Sequence, residues 1–301
     1  MRRAFTLVET VIAILAIALL AVFTLVILSS PRNSRSAARQ LKDSTQVHGI
    51  IQSLVAWTNS NQGDYPLPSL IDASDQTVGE KGRAKDTTAN IFSLLIYHGN
   101  ISPELCISPM ESNWSSIHTD EDFEYEAPKK AVNPANALWD PAFSADFTGG
   151  KVGNFSYGHL QPSGTRSKPA GTDLAATEPT GRLRAWRDTF STTEAIVANR
   201  GPEITSVAAD YAPTLKNKSS NTLLIHGGRR TWEGNIGYND GHVEFETSLR
   251  PTGSVRFDSA TGERWDTLFF DEPDDVNQSN AFLGIFTTAG EKPSEFKGIW
   301  D

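Results

Sequence analysis

The residues best equipped for chemistry cluster in the last third of the chain and at its very start. His226, Asp240 and His242 offer two imidazoles and a carboxylate, a donor set common at transition-metal sites. Asp240 and Gly241 equally suit a tight turn. The run Asp271-Glu272-Pro273-Asp274-Asp275 supplies four carboxylates from one flexible stretch, which suits calcium, a hard ion that takes several oxygen ligands. A further acid, Glu9, lies just inside an apolar stretch, where a charge is costly and usually has a partner. Catalytic strings are absent: there is no His-Glu-x-x-His, no Gly-x-Ser-x-Gly and no Gly-rich Lys loop for phosphates, so the chain reads as a non-enzyme with no catalytic residue.

These residues need positioning, and the start of the chain supplies the dominant element. From Val11 to Leu28 every residue is apolar except Thr24, with no Gly or Pro, and Arg2 and Arg3 precede the run. Eighteen such residues at about 1.5 Å rise cover most of a hydrocarbon layer of about 30 Å, so a membrane helix is expected. After Pro31 a second helical pattern runs from Ser34, with Ala37, Leu41, Val47 or His48, Ile51, Leu54, Val55 and Thr58 marking a stripe, and it stops near residues 59–63. If Pro31 only kinks the rod, residues 5–61 form one helix of about 85 Å.

Beyond Gly63 the pattern changes. Residues 90–98 are a short helix or strand, and residues 111–190 are Pro-, Gly- and Ser-rich, with short strands expected at 154–159 and 183–190. A strand is expected at 222–225. Residues 234–238 and 242–246 alternate about Asn239-Asp240-Gly241, a hairpin signal, because these turn residues tolerate the left-handed backbone. A further strand is expected at 264–270. The fold class is α+β: a long N-terminal helix, half in a membrane and half amphipathic, packed on an antiparallel β-sheet head with long loops.

The string Arg3-Ala4-Phe5-Thr6-Leu7-Val8-Glu9 resembles the processing site of type IV prepilins and type II secretion pseudopilins, with Ala4 where that family usually has Gly. The resemblance implies cleavage by a prepilin peptidase between Ala4 and Phe5, N-methylation of Phe5, and a pairing of Glu9 with the Phe5 amine of a neighbouring subunit. It divides the chain into a leader (1–4), a transmembrane and filament-core helix (5–30), an amphipathic stem (31–61) and a globular periplasmic head (62–301). The implied function is a structural subunit of a pilus-like or pseudopilus filament. The implied partners are the prepilin peptidase, other pilin subunits and the bacterial inner membrane, which the chain would cross once with its head in the periplasm.

A second string is similar to a group of prepilin-type proteins marked by a His followed by Asp-Gly. Here these are His226, Asp240 and Gly241, with thirteen residues between the His and the Asp, and Gln46–Ile50 and Cys106–Pro109 share the group's flavour. Pseudopilins that hold calcium near the C-terminus add weight to the acidic run at 271–275, which would substitute for a disulfide that a single cysteine, Cys106, cannot form. A different reading is an anchored periplasmic binding protein, whose head captures polysaccharide or protein without making a filament. Trp139, Trp186, Trp232 and Trp265 could then stack on sugar. The net charge of −9 argues against nucleic acid as a partner.

Overall fold

The computed structural model describes residues 8, 11–20, 31–119, 123–167, 178–208, 211–251 and 255–301. They fall into two compact units, Met1–Lys42 and Asp43–Asp301. Within the first, residues 11–20 are helical, and the side chains of Ile12, Ile14, Leu15, Ile17 and Leu19 are 61–67 % exposed.

Helix α1 runs Pro31–Thr58. Pro31 suits its first turn, where the missing N–H is not needed and the fixed φ is already helical. The helix ends where Gln62 and Gly63 take positive φ, which no continuing helix allows. Among the described residues no helix is long and apolar enough to cross a membrane. That finding overturns the expected membrane half of the stem, the single-pass topology and the placement in the inner membrane with a periplasmic head. The described residues 11–20 make up ten of the about 20 apolar residues that a span needs, and the sequence of α1 begins Pro31-Arg32-Asn33-Ser34-Arg35, too polar for a span.

The apolar stripe of α1 is real but shorter than its sequence pattern. Val47, Ile50, Ile51, Leu54 and Trp57 are buried at helical spacing, whereas Leu41 is exposed. In the second unit this face lies on an antiparallel sheet. Its strands are β1 (Tyr157–Leu160), β2 (Ala195–Asn199), β5 (Gly234–Tyr238), β6 (Val243–Glu246), β9 (Leu283–Thr288) and β10 (Lys297–Ile299), in the order β10-β9-β1-β2-β5-β6. All neighbours are antiparallel. Two hairpins stand beside it, β3 (Ile204–Val207) with β4 (Pro213–Leu215), and β7 (Arg256–Ser259) with β8 (Gly262–Trp265). A second helix, α2 (Thr88–Tyr97), is capped by the Thr87 hydroxyl, which accepts from the Asn90 N–H, and buries Ile91, Phe92, Leu94 and Leu95.

Gly237 on β5 decides how closely α1 approaches. A Cβ there would sit 2.9 Å from both Val47 and Ile51 side chains, so only glycine lets the helix rest directly on the sheet. The β5–β6 hairpin forms about Asp240 and Gly241 with register Gly234↔Glu246 to Gly237↔Val243. Elsewhere the expected strands move. Residues 221–224 make a 3₁₀ turn, because the Ser220 hydroxyl accepts from the Thr222 N–H and starts a turn. Residues 181–184 make another, and the strand falls later, at 195–199. Trp139, Trp186 and Trp232 are core side chains rather than a surface, and Trp265 lies under the Arg256 guanidinium at 3.9 Å.

Candidate functional site

The most concentrated polar site is built around Asp43 on α1. Its carboxylate is fully buried on the face that carries Val47, Ile50 and Leu54. Four donors fill it. The Ser108 hydroxyl and the Tyr157 hydroxyl, the latter at 3.0 Å, donate to Oδ1. His226 Nε2 at 2.9 Å and Asn235 Nδ2 at 2.6 Å donate to Oδ2. Burial alone would raise this carboxyl. The hydrogen bond from His226, that from Ser108, the attraction of the imidazole and the bond from Asn235 outweigh it and hold the group below its usual value.

Different elements supply each partner: α1, the loop after residues 103–106, β1, the segment before β5, and β5 itself. Around them Gln46 Nε2 donates to the Glu104 carbonyl at 3.0 Å, and His48 Nδ1 lies 2.8 Å from the Gly241 carbonyl. His226 packs edge-on against Phe245 at 5.3 Å. The strings 46–50, 106–109 and 234–243, with His226, therefore meet on one stretch of α1. His226 and Gly241 of the His…Asp-Gly signature both grip that helix, while Asp240 turns the hairpin. The Asp240 carboxylate accepts from the His242 N–H at 3.1 Å and pairs with the His242 imidazole, which stacks on Tyr238 at 4.3 Å.

This geometry does not resemble a hydrolytic triad. There the imidazole sits between hydroxyl and carboxylate; here the carboxylate sits between Ser108 and His226. Nor do His226, Asp240 and His242 converge, since the two imidazoles serve different carboxylates. Among the described residues no group of three or more His, Cys, Asp or Glu side chains is placed to hold a metal ion.

The acidic run at 271–275 is dispersed in the same way. Asp271 pairs with Arg182, and Asp274 with Arg264. Asp275 accepts from the Asn277 N–H at 3.0 Å and the Asn280 N–H at 2.7 Å. Glu272 is buried, and burial pushes its carboxyl up to about 7. A neighbouring acid that sequence did not single out, Asp266, is fully buried and likewise pushed up to about 7 by burial, accepting one backbone N–H from Ala281 at 2.5 Å. The run is a loop stapled by arginines, and its carboxylates are not turned toward one point.

Ala4, Phe5 and Glu9 lie outside the described residues. Cys106 is a buried free thiol that burial pushes far up. Asp43, Ser108, Tyr157 and Asn235 escaped the reading of the sequence. The available signal was Asp43 itself, an acid four residues before Val47 on an apolar stripe, the same anomaly that drew notice to Glu9.

No protein-family model matches the chain, and neither a curated protein nor a solved structure matches it significantly.

Proposed function

We propose that the chain is a structural subunit of a pilus-like or type II secretion pseudopilus filament, trimmed between Ala4 and Phe5 by a prepilin peptidase and assembled through its N-terminal helices. The observation that carries this reading is the exposed apolar helix at 11–20. Uncovered apolar surface of this kind marks an interaction face, and like helices from neighbouring subunits would cover it. The Phe5-to-Glu9 string adjoining that helix gives a reason for trimming there and for a charged pair inside an apolar bundle. The Asp43 site supports the reading in a second way, because it locks the far end of α1 into the head. A load on the helix would then pass into the folded sheet.

Mass spectrometry of the N-terminal peptide from protein recovered from its own cells tests the processing step. The expected product begins with N-methylated Phe5. An intact Met1 would sink the proposal.

A further inference from the structure

A roomy cavity of the head lies outside the Asp43 site, between the β3–β4 hairpin, the segment 218–232 and the segment after β6. It holds about 680 Å³, within the range of small-molecule sites. Its wall carries Lys218, Arg229, Arg230 and Arg250, and among the described residues no Asp or Glu lines it. In a chain with 36 acidic and 27 basic residues, four cations on a wall where none of the described residues is acidic run against the overall balance.

Several described basic side chains of the head have carboxylate partners, among them Arg182 with Asp271, Arg200 with Glu111 and Arg264 with Asp274. Among the described residues the four cavity cations have none. Arg250 is the most telling. Its guanidinium lies 4.8 Å from the centre of the Tyr211 ring, whose other neighbour is the Arg264 guanidinium at 5.2 Å. Its Nη1 is shut off from solvent and has no hydrogen-bond partner. A buried guanidinium N–H left unpaired is expensive, so Arg250 lines the cavity without its Nη1 donors being satisfied by the protein. Tyr211 and Arg229 both hold left-handed backbone, at φ 63° and 73°. Non-glycine residues carry that strain most often at functional sites.

We infer that this cavity binds a compact, multiply charged ligand bearing phosphate or sulfate groups. Planar guanidinium forks match such oxyanions bidentately, and several donors on one wall can share one tetrahedral group. The net charge of the protein repels a polyanion at long range, so recognition depends on these local donors. The inference is independent of filament assembly.

The test is calorimetric titration of the full chain at low salt with two probes, inositol hexakisphosphate and a sulfated heparin tetrasaccharide, against uncharged inositol. At least one charged probe should bind, and inositol should not. The double variant R229Q/R230Q should weaken that binding by about tenfold or more. Both side chains are exposed, so the variant should melt as the parent does. R250Q should weaken binding as well, and K151Q, which lies outside the cavity and pairs with Asp146, should not. Which probe binds identifies phosphate or sulfate as the source. Failure of both probes, equal binding of inositol, or equal binding by R229Q/R230Q would each overturn the inference.

Discussion

Asp43 and His226 stand 183 residues apart in the chain and 2.9 Å apart in the fold, and their contact joins helix α1 to the body of the head. Removing the acid would leave the donors of Ser108, Tyr157, His226 and Asn235 buried without an acceptor. Each buried donor left without an acceptor costs about 1–3 kcal/mol, so stranding several together costs about 3–5 kcal/mol. Asp43→Ala should therefore lower stability by about that amount in chemical denaturation, and His226→Ala by less, since Asp43 keeps three donors. A variant within about 0.5 kcal/mol of the parent, the range of ordinary surface changes, would show that the site does not latch the helix.

Two acids push stability in opposite directions with pH. The Asp43 carboxyl is lowered in the fold, so its contribution is present above the usual carboxylate value of 3.8 and is lost as pH falls through the folded value. Asp266 is raised from 3.8 to about 7, so the folded state binds its proton more tightly, and stability falls as pH rises across that window. Asp266→Asn should reduce the loss between those two values, leaving the share due to Glu272, whose carboxyl burial also raises to about 7, and leaving the acid limb intact. Denaturation midpoints measured across pH would refute this if the variant kept the parent's slope.

Gly237→Ala should cost about 1–3 kcal/mol, because the added methyl meets Val47 and Ile51 at 2.9 Å and the helix must lift. A double change with Ile51→Ala, which removes the Cγ1 that the added methyl meets, should cost less than the sum of the two single changes, as neighbours coupled through one contact are not additive. Thermal melting of the three variants checks it, and additive losses would count against the close approach.

Cys106 should resist alkylation in the folded protein. Its thiol is buried and its ionisation is pushed far up by burial, so little thiolate is present. Labelling with iodoacetamide should follow unfolding, rising with denaturant along the melting curve. Fast labelling in native buffer would contradict the packing around the 103–106 turn.

Filament assembly, if the proposed function holds, should depend on Glu9. A carboxylate and an ammonium are each costly in an apolar bundle and tolerable together. Glu9→Ala should leave the chain trimmed after Ala4 yet absent from sheared filaments, while Glu9→Asp should assemble partially. Normal incorporation of Glu9→Ala would remove the pairing with Phe5.

Local chemistry made some of this molecule legible in its sequence. The β5–β6 hairpin was readable because Asn239-Asp240-Gly241 carries its own turn geometry, and the buried face of α1 was readable from the spacing of Val47, Ile51 and Leu54. The end of the stripe was not: Leu41 continues the pattern and stays exposed, since periodicity marks a face without saying how far the partner sheet reaches. The membrane half of the stem came from counting apolar residues alone, and the described helices do not provide a span. The Asp43 site was hidden for a different reason. Its members come from five separated segments, and hydrogen bonding across such distances leaves no spacing to read. His226 was noticed for a resemblance, and what it touches could be found only in three dimensions.

The order of the sheet also governs when the head can form. Strand β1 sits inside the sheet, yet one of its edges pairs with β9, where His159 faces Gly284, and the other with β2. Residues 157–160 are thus synthesised well before the strand that completes them, and α1 waits longer still for Asn235, Gly237 and His226. Contacts this distant in the chain make for slow closure. A nascent head emerging from the ribosome would stay open, with β1 unpaired along one side, until about residue 284 had been made, so the chain remains in a threadable state for most of its synthesis.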